Sequence, residues 1–245
     1  MSWLEKIKRA LTGGSQAQAP VTDQERRSQA LAQHLNASSG PTLMVGVSGC
    51  GKSQLLDKAA THLPGCVVRL QAQYHLADAQ GWEEAPFWGV LRLADGSEED
   101  WELPDVLRLR PAGVFELALP WTSGDNRLQL ALQRQLLELL NHECRDTPLT
   151  VILDEAQQLC DREALLPLLM QGRSLRMNCL FSCQTLGDLP TAMRVQFSRL
   201  CVMRTLHSDA EQIRGWVGNA AFRFEELGVG EAAWVEPLTG RVLSL

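Results

Sequence analysis

The chain has 245 residues, of which 45% are hydrophobic and 21% are charged, and this composition excludes a disordered or low-complexity protein. Its 23 basic and 29 acidic residues give a net charge of −6, which argues against a protein that binds nucleic acid over its whole surface. The seven cysteines form no CxxC pair, so the sequence favours reduced, buried thiols over a zinc site or a disulfide framework.

The first residues predict a short helix on a linker. Residues 1–12 place the apolar side chains from Trp3 to Leu11 on one face of an amphipathic helix, with basic side chains opposite. Residues 13–21 are rich in Gly, Ser, Gln and Ala, which is typical of a linker. The helix is expected either to dock on a membrane surface or a partner, or to pack on its own domain or a neighbouring subunit.

Residues 22–245 are predicted to form one α/β domain, in which strands and helices follow each other along the chain. The first helix, 22–36, precedes a strand at 42–45. Further strands are predicted at 66–70, 88–93, 106–110, 114–119, 149–155, 179–184 and 200–204, helices at 126–143, 162–171 and 208–219, and a closing hairpin at 232–245.

Within this domain, residues 73–120 are predicted to be a β-rich, acidic insertion or an extension of the sheet. Nine acidic residues and one basic residue, Arg92, fall between 73 and 105, so the negative charge of the chain is concentrated there. Three tryptophans of the insertion, Trp82, Trp88 and Trp101, are predicted to form a small core, and stacking on bases or on a partner is the alternative.

A glycine-rich loop stands between the predicted strand 42–45 and the following helix. Its sequence matches the phosphate-binding pattern G-x-x-x-x-G-K-S/T, in which backbone N–H groups and the N-terminus of the helix face phosphate oxygens. We predict that the loop binds ATP, with Lys52 on the β and γ phosphates and the Ser53 hydroxyl on Mg²⁺. The loop consists of Gly46, Val47, Ser48, Gly49, Cys50, Gly51, Lys52 and Ser53.

Two adjacent carboxylates end the apolar run 149–153. A buried strand that delivers carboxylates at its C-terminal end is typical of the second nucleotide motif of such proteins. Asp154 is predicted to hold Mg²⁺, and Glu155 to orient and deprotonate the attacking water. A general base at this position indicates hydrolysis rather than simple nucleotide storage.

The segment after these carboxylates, residues 168–204, resembles the corresponding segment of the FtsK and HerA superfamily of ring-forming DNA pumps. This superfamily comprises chromosome translocases, conjugative coupling proteins and the genome-packaging ATPases of membrane-containing icosahedral viruses. The resemblance covers residues 42–70 and about 127–245 and leaves 73–120 unmatched. It is carried above all by Gly172-Arg173-Ser174, Phe181-Ser182-Cys183-Gln184 and Asp188-Leu189-Pro190.

The resemblance implies a RecA-like P-loop NTPase core with a mainly parallel central sheet, carrying the β-rich insertion and the C-terminal β-hairpin. It implies that Gln184 senses the γ-phosphate and that Arg173 enters the active site of the neighbouring subunit, with Arg176 as the alternative. ATP and Mg²⁺ are then the cofactors, double-stranded DNA is a partner, and the chain forms a homo-oligomer, expected to be a hexameric ring.

The sequence has no recognisable membrane anchor or winged-helix module, and it is therefore most similar in organisation to the viral packaging branch. We expect an ATP-driven DNA translocase that packages a viral genome into a preformed capsid. Its expected location is the host cytoplasm, with contact to a capsid vertex or a membrane surface through the N-terminal helix or the acidic insertion. Residues 171–223, with seven arginines and three acids, belong to the segment that resembles the arginine and sensor region of the family, whereas the acidic insertion is expected on a solvated face away from any DNA path.

Two other functions fit the same motifs. An AAA-type regulatory ATPase of a transposition or secretion system also carries an Asp-Glu-Ala-Gln stretch, but such proteins usually end in a helical lid. A nucleotide-switched assembly factor that never moves DNA would use the basic N-terminal helix and the acidic insertion as docking surfaces. The secondary structure of the C-terminal residues distinguishes the AAA-type regulator from the translocase. The response of the ATPase rate to DNA distinguishes the assembly factor from the translocase.

Overall fold

The computed structural model describes residues 22–37, 40–73, 87–120, 149–156, 177–218 and 221–245, together with 135, 138–139, 166 and 169–170. The predictions for the N-terminal helix, the linker and Trp82 lie outside the described residues, as does most of the predicted helices 126–143 and 162–171. The described positions within those two helices are helical, namely Gln135, Glu138, Leu139, Leu166, Leu169 and Met170.

The described residues form five α-helices, two 3₁₀ turns and ten β-strands. The helices are α1 (Asp23–Ala37), α2 (Lys52–His62), α3 (Leu103–Leu109), α4 (Thr191–Arg194) and α5 (His207–Val217), with 3₁₀ turns at Leu186–Asp188 and Phe224–Glu226. The strands are β1 (Thr42–Val45), β2 (Cys66–Gln73), β3 (Trp88–Leu93), β4 (Glu98–Glu102), β5 (Gly113–Pro120), β6 (Leu149–Asp154), β7 (Met177–Cys183), β8 (Arg199–Val202), β9 (Ala233–Glu236) and β10 (Arg241–Ser244). Within the described ranges, no helix combines the length and the apolar character needed to cross a bilayer.

All ten described strands belong to one sheet with the order β10-β9-β8-β1-β7-β6-β2-β5-β3-β4. The strands from β8 to β5 in this order run parallel, and an antiparallel hairpin extends the sheet at each end, β9–β10 on one side and β3–β4 on the other. The structure therefore confirms the RecA-like α/β fold with a mainly parallel sheet, a strand-rich extension and a C-terminal hairpin.

The parallel strands are apolar because both faces of the sheet are covered. Every residue of β1, β6 and β8 is buried, and the side chains of these strands alternate between two core clusters. Leu31, Leu35, Leu55 and Leu56 of α1 and α2 pack on one face. The five described cysteines, Cys50, Cys66, Cys179, Cys183 and Cys201, are buried thiols as predicted, and burial raises the pKa of Cys201 to about 12.

The strand predicted at 106–110 is wrong, because these residues belong mainly to α3. Leu103, Val106 and Leu107 are buried and follow a helical spacing, whereas Asp105 and Arg108 form an i,i+3 ion pair. Pro104 suits the first turn of the helix, since that turn has no intrahelical use for its missing N–H. Taken alone, Val-Leu-Arg-Leu-Arg has the alternation of a strand. Leu103, three positions before Val106, shows that the apolar residues follow the spacing of a helix.

The described part of the insertion, residues 87–120, forms the sheet extension, and its two tryptophans, Trp88 and Trp101, do not form a core of their own. Trp88 is 48% exposed on β3, while Trp101 is half-buried against the main core and donates its indole N–H to Glu99 (2.8 Å). The acidic strand β4 was not predicted, because four acids in five residues leave no apolar alternation to detect. Its exposed position at the sheet edge suits this charge, since charged side chains discourage pairing with other edges.

An aromatic stack fastens α1 to the C-terminal hairpin. The His34 ring of α1 lies parallel to the buried indole of Trp234 on β9, with 4.9 Å between ring centroids, and the Arg199 guanidinium lies 5.7 Å from the indole centroid. Burial lowers the pKa of His34, so the neutral ring is favoured in this stack. The stack therefore joins the start of the described chain to its end.

Replacing Trp234 tests this junction. We expect Trp234→Ala to lower the free energy of unfolding by about 3–5 kcal/mol, since it leaves a cavity and removes both ring contacts. Trp234→Phe keeps an aromatic ring and should lose clearly less. Urea denaturation followed by circular dichroism measures both variants, and equal losses would contradict a role for the stack.

Candidate functional site

The predicted phosphate-binding loop, Gly46–Ser53, connects β1 to α2 at the C-terminal edge of the parallel strands. The Gly46 N–H donates to the carbonyl of Cys183 (3.3 Å), the last residue of β7, and the Val47 N–H donates to the carbonyl of Arg204 (2.9 Å), just beyond the end of β8. The neighbouring strands thus hold the start of the loop on both sides. This is the strand-loop-helix arrangement that the sequence predicted.

The conformation of the loop requires glycine at two of its positions for steric reasons. A Cβ on Gly46 would lie 2.8 Å from the Cys50 sulfur and 2.9 Å from the Met203 Cβ, so the curl of the loop admits no side chain there. Gly51 has a φ of +99° at the N-cap of α2, a conformation that side chains disfavour. The loop can therefore curl tightly before α2, with the N-terminus of that helix facing the cleft.

Lys52 lies inside the curve of this loop. Its side chain is almost fully buried, and its ammonium donates to the carbonyls of Gly46 (2.6 Å) and Val47 (3.3 Å). The ammonium group stands at the end of a flexible side chain, and its two acceptors are neutral backbone carbonyls. It is therefore placed to exchange these carbonyls for phosphate oxygens, which are stronger acceptors.

Asp154 and Glu155 leave the end of β6 in different directions. Asp154 is buried, and its Oδ1 accepts a hydrogen bond from the Ser182 hydroxyl (2.5 Å) of the adjacent strand β7. The same hydroxyl accepts the N–H of Glu155 (2.9 Å). Ser182 therefore holds both the predicted metal ligand, Asp154, and the backbone of the predicted base, Glu155, a role that the sequence pattern did not indicate.

The backbone of Glu155 is in the left-handed region, with a φ of +54°. This conformation costs a non-glycine residue roughly 1–3 kcal/mol and is typical of functional sites. The Gln184 amide, at the end of β7, donates to Glu155 Oε1 at 3.4 Å. The structure thus brings together the two residues that were predicted as water activator and γ-phosphate sensor.

These residues line a single open cleft of about 280 Å³. Its walls come from the phosphate-binding loop, the start of α2, the ends of β6 and β7, and a turn near the C-terminus. The lining residues are Ser48, Gly49, Gly51, Lys52, Ser53, Gln54, Glu155, Gln184 and Val229. Parallel strands end on one edge of the sheet, which explains how motifs far apart in sequence meet here.

Ser53, which lines the cleft, and Asp154, which ends β6 next to Glu155, offer oxygen ligands that fit Mg²⁺, the ion that the loop motif implies. Mg²⁺ prefers hard oxygen ligands and usually keeps several waters, with one or two carboxylates and substrate phosphates completing its shell. Ser53 contributes a hydroxyl and Asp154 a carboxylate whose oxygens are engaged by Ser182 and Arg69. Among the described residues, no cluster of three or more His, Cys, Asp or Glu could hold a metal ion.

Arg69 is a site residue that the sequence analysis missed. It is 2% exposed at the centre of β2, and its guanidinium donates to Asp154 Oδ2 (3.3 Å) and to Glu116 Oε1 (3.2 Å) of β5. It also pairs with Asp57 of α2. One cation therefore connects Asp154, the predicted metal ligand, to the helix that follows the phosphate-binding loop. An arginine inside the apolar run 66–70 was the available signal, because a buried charge requires partners.

The loop after Gln184 is anchored from α5. The Asp209 carboxylate accepts the N–H of Leu186 (3.2 Å), and the Thr185 N–H donates to Asp188 (2.9 Å). Burial raises the pKa of Asp209, so this anchor has a higher proton affinity than an exposed aspartate. The position of Gln184 is therefore set by β7 on one side and by α5 on the other.

The two candidates for the arginine that acts in a neighbouring subunit, Arg173 and Arg176, lie outside the described residues. Their roles remain predictions.

No family model matches this sequence, and no curated protein matches it at a significant level. Solved structures match it through their fold. The genome packaging NTPase B204 of Sulfolobus turreted icosahedral virus 2, solved with ATPγS, is 12% identical, and the match covers 84% of this chain and 96% of B204 with a TM-score of 0.56.

Two further structures match over the same share of this chain. B204 from Sulfolobus turreted icosahedral virus, described as a DNA-packaging ATPase, is 12% identical over 84% of this chain and 96% of its own, with a TM-score of 0.54. The cytoplasmic domain of the type VII secretion ATPase EccC from Thermomonospora curvata is 16% identical over 84% of this chain and 25% of its own, with a TM-score of 0.50. These likenesses show that this chain shares the fold of the packaging NTPases and of the secretion ATPase domain.

A double-mutant cycle tests the link between Arg69 and Asp154. We expect Arg69→Met to lower the free energy of unfolding by about 3–5 kcal/mol, because it leaves the buried carboxylate without its cation. In the Asp154→Asn background the same change should cost about 0.5–3 kcal/mol less. Urea denaturation measures all four proteins. Strict additivity would mean that the two side chains are not coupled.

Proposed function

We propose that this protein is an ATPase that hydrolyses ATP with Mg²⁺ and uses the energy to move double-stranded DNA, most specifically to package a viral genome into a preformed capsid. The observation that carries this proposal is the shared cleft of Lys52, Glu155 and Gln184 beside the phosphate-binding loop. A cation, a base and a hydrogen-bonding amide around one loop are the groups that phosphoryl transfer to water requires.

In the proposed reaction, water attacks the γ-phosphorus while the bond between this phosphorus and the β–γ bridging oxygen breaks. Glu155 orients the water and accepts its proton, and Lys52 neutralises charge that develops on the phosphate oxygens. Mg²⁺ held by Ser53 and Asp154 would add charge neutralisation when bound. Gln184 contacts the Glu155 carboxylate, so a change at the γ-phosphate can pass through Gln184 to β7 and the loop that Asp209 anchors.

DNA as the substrate is supported by the fold shared with structures described as genome packaging NTPases. The distribution of charge adds to this. The acidic strand β4 lies at the sheet edge, separated from β1 by five strands, so its charge is far from the cleft. Among the arginines of 171–223, however, Arg199 is buried and Arg214 pairs with Glu225 (2.8 Å), so part of that positive charge stabilises the fold.

An AAA-type regulator is less well supported. Residues 221–245 form a 3₁₀ turn and the hairpin β9–β10, which occupies the place where such regulators carry a helical lid. The assembly factor that binds nucleotide without moving DNA is the remaining alternative. It shares the ATP cleft, and the response to DNA separates it from the translocase.

Steady-state ATP hydrolysis with and without duplex DNA tests the proposal. We expect DNA to stimulate the rate, and the stimulation to fall steeply with salt because it depends on phosphate contacts. Lys52→Ala and Glu155→Gln should each lower kcat by about 100-fold or more, since each removes a group that acts on the reacting atoms. Lys58→Ala on α2 and Glu102→Gln on β4 are the matched controls and should keep the normal rate.

Undiminished turnover in the Lys52 and Glu155 variants would overturn the mechanism. An ATP hydrolysis rate that DNA does not change, but that capsids or lipid vesicles raise, would favour the assembly factor instead.

Mixing of variant subunits tests whether Arg173 acts in the neighbouring site. Arg173→Ala and Lys52→Ala should each be inactive alone, yet a mixture should recover activity, because a Lys52→Ala subunit still offers its arginine to the intact loop next to it. Arg176→Ala is the control and should stay active alone. If Arg176→Ala is the inactive variant and complements Lys52→Ala, then Arg176 is the residue in question.

A further inference from the structure

A turn near the C-terminus, Gly228–Glu231, lies directly against the phosphate-binding loop. The Gly230 N–H donates to the carbonyl of Cys50 at 2.8 Å. A Cβ on Gly51 would lie 3.4 Å from the backbone of Gly230, so the loop and the turn are in close contact at these two glycines. The turn is therefore part of the wall of the cleft, although it is far from the nucleotide motifs in the sequence.

The turn is also held from α1. Arg27 donates to the carbonyl of Gly230 (2.9 Å) and lies 3.9 Å from the Glu231 carboxylate. The Gly228 N–H donates to Glu231 Oε2 (2.7 Å), and the Glu231 N–H donates to the Gly228 carbonyl (3.2 Å). Hydrogen bonds within the protein thus fix the shape of the turn.

The tip of this turn is Val229, whose side chain is 64% exposed although it is branched and apolar. It lines the cleft together with Gln54, the residue that follows the loop serine Ser53. An exposed valine on a rigid turn gains from contact with a flat apolar surface, because that contact removes its methyl groups from water. The phosphate-binding groups lie next to it in the same cleft.

We propose that Val229 and Gln54 form the subsite for the base of the nucleotide, with the flat face of a purine resting on the Val229 methyl groups. This inference rests on the proposed function, since it assigns the part of ATP that the phosphate motifs do not reach. The apolar contact by itself does not distinguish purines, and the Gln54 amide carries both a donor and an acceptor. The site therefore accepts adenine and guanine with similar affinity, because discrimination requires dedicated hydrogen bonds.

Comparing ATP, GTP and inorganic tripolyphosphate, each with Mg²⁺, separates the base from the phosphates. By calorimetry, the wild-type protein should bind ATP and GTP within about 3-fold of each other and tripolyphosphate about 10-fold more weakly. Val229→Ser should weaken ATP about 5-fold and leave tripolyphosphate within 2-fold. Val195→Ser is the matched control, since Val195 is a 69% exposed valine that does not line this cleft, and its affinities should not change.

A second variant reports the contact directly. In Val229→Trp, the added indole should stack on the base, so ATP should quench the fluorescence of this tryptophan, whereas tripolyphosphate should not. The affinity of this variant for ATP should be at least as high as that of the wild type. Unchanged tripolyphosphate binding in both variants shows that the phosphate loop is still folded.

The outcomes distinguish the two claims. If the wild type binds neither ATP nor tripolyphosphate, or if Lys52→Ala leaves tripolyphosphate binding unchanged, the proposed ATPase site is wrong and the subsite with it. If both ligands bind but Val229→Ser weakens ATP no more than Val195→Ser, the base subsite is wrong and the ATPase proposal stands. A preference for ATP over GTP of 100-fold or more would overturn the apolar, unselective contact.

Discussion

The buried positive charge of Arg69 is the constraint on which the arrangement of the cleft depends. A guanidinium at the centre of a sheet is tolerated only when carboxylates surround it, and here they come from α2, β5 and β6. One of them is Asp154, the predicted metal ligand, and another, Asp57, belongs to the helix that follows the phosphate-binding loop. The same ion cluster therefore joins β6 to α2, the helix that follows the phosphate-binding loop, and Glu116 extends the cluster to Arg92 of β3 (3.6 Å).

The parallel sheet adds the second constraint. Since β1, β7 and β6 are neighbouring parallel strands that end on one edge of the sheet, the phosphate-binding loop, Glu155 and Gln184 lie close together there. Ser182 shows how close this coupling is, because its hydroxyl bonds to Asp154 and to the N–H of Glu155 together. A shift of β7 relative to β6 would therefore change the positions of Asp154, Glu155 and Gln184 relative to one another.

The ends of the described chain support the site from outside the motifs. Trp234 joins α1 to the hairpin, and Arg27 of α1 holds the turn that carries Val229. The uneven charge follows a similar division: the acidic strand β4 extends the sheet edge away from the cleft, while several arginines serve internal pairs. The net charge of the chain is thus a poor guide to its partner, because most of the excess acidity belongs to an appended strand pair.

The sequence by itself determined the local features: the strand-loop-helix around Lys52, the carboxylates that end β6, the position of Gln184 and the terminal hairpin. These follow from short patterns whose spacing reflects a local conformation, so neighbouring residues are enough to predict them. Only the tertiary structure decided that residues 106–109 are helical, that Arg69 and Ser182 both contact the Asp154 carboxylate, and that Val229 lies beside the phosphate loop. Each of these depends on partners distant along the chain, and the energy of burying a charge or an apolar face is not visible until those partners are in place.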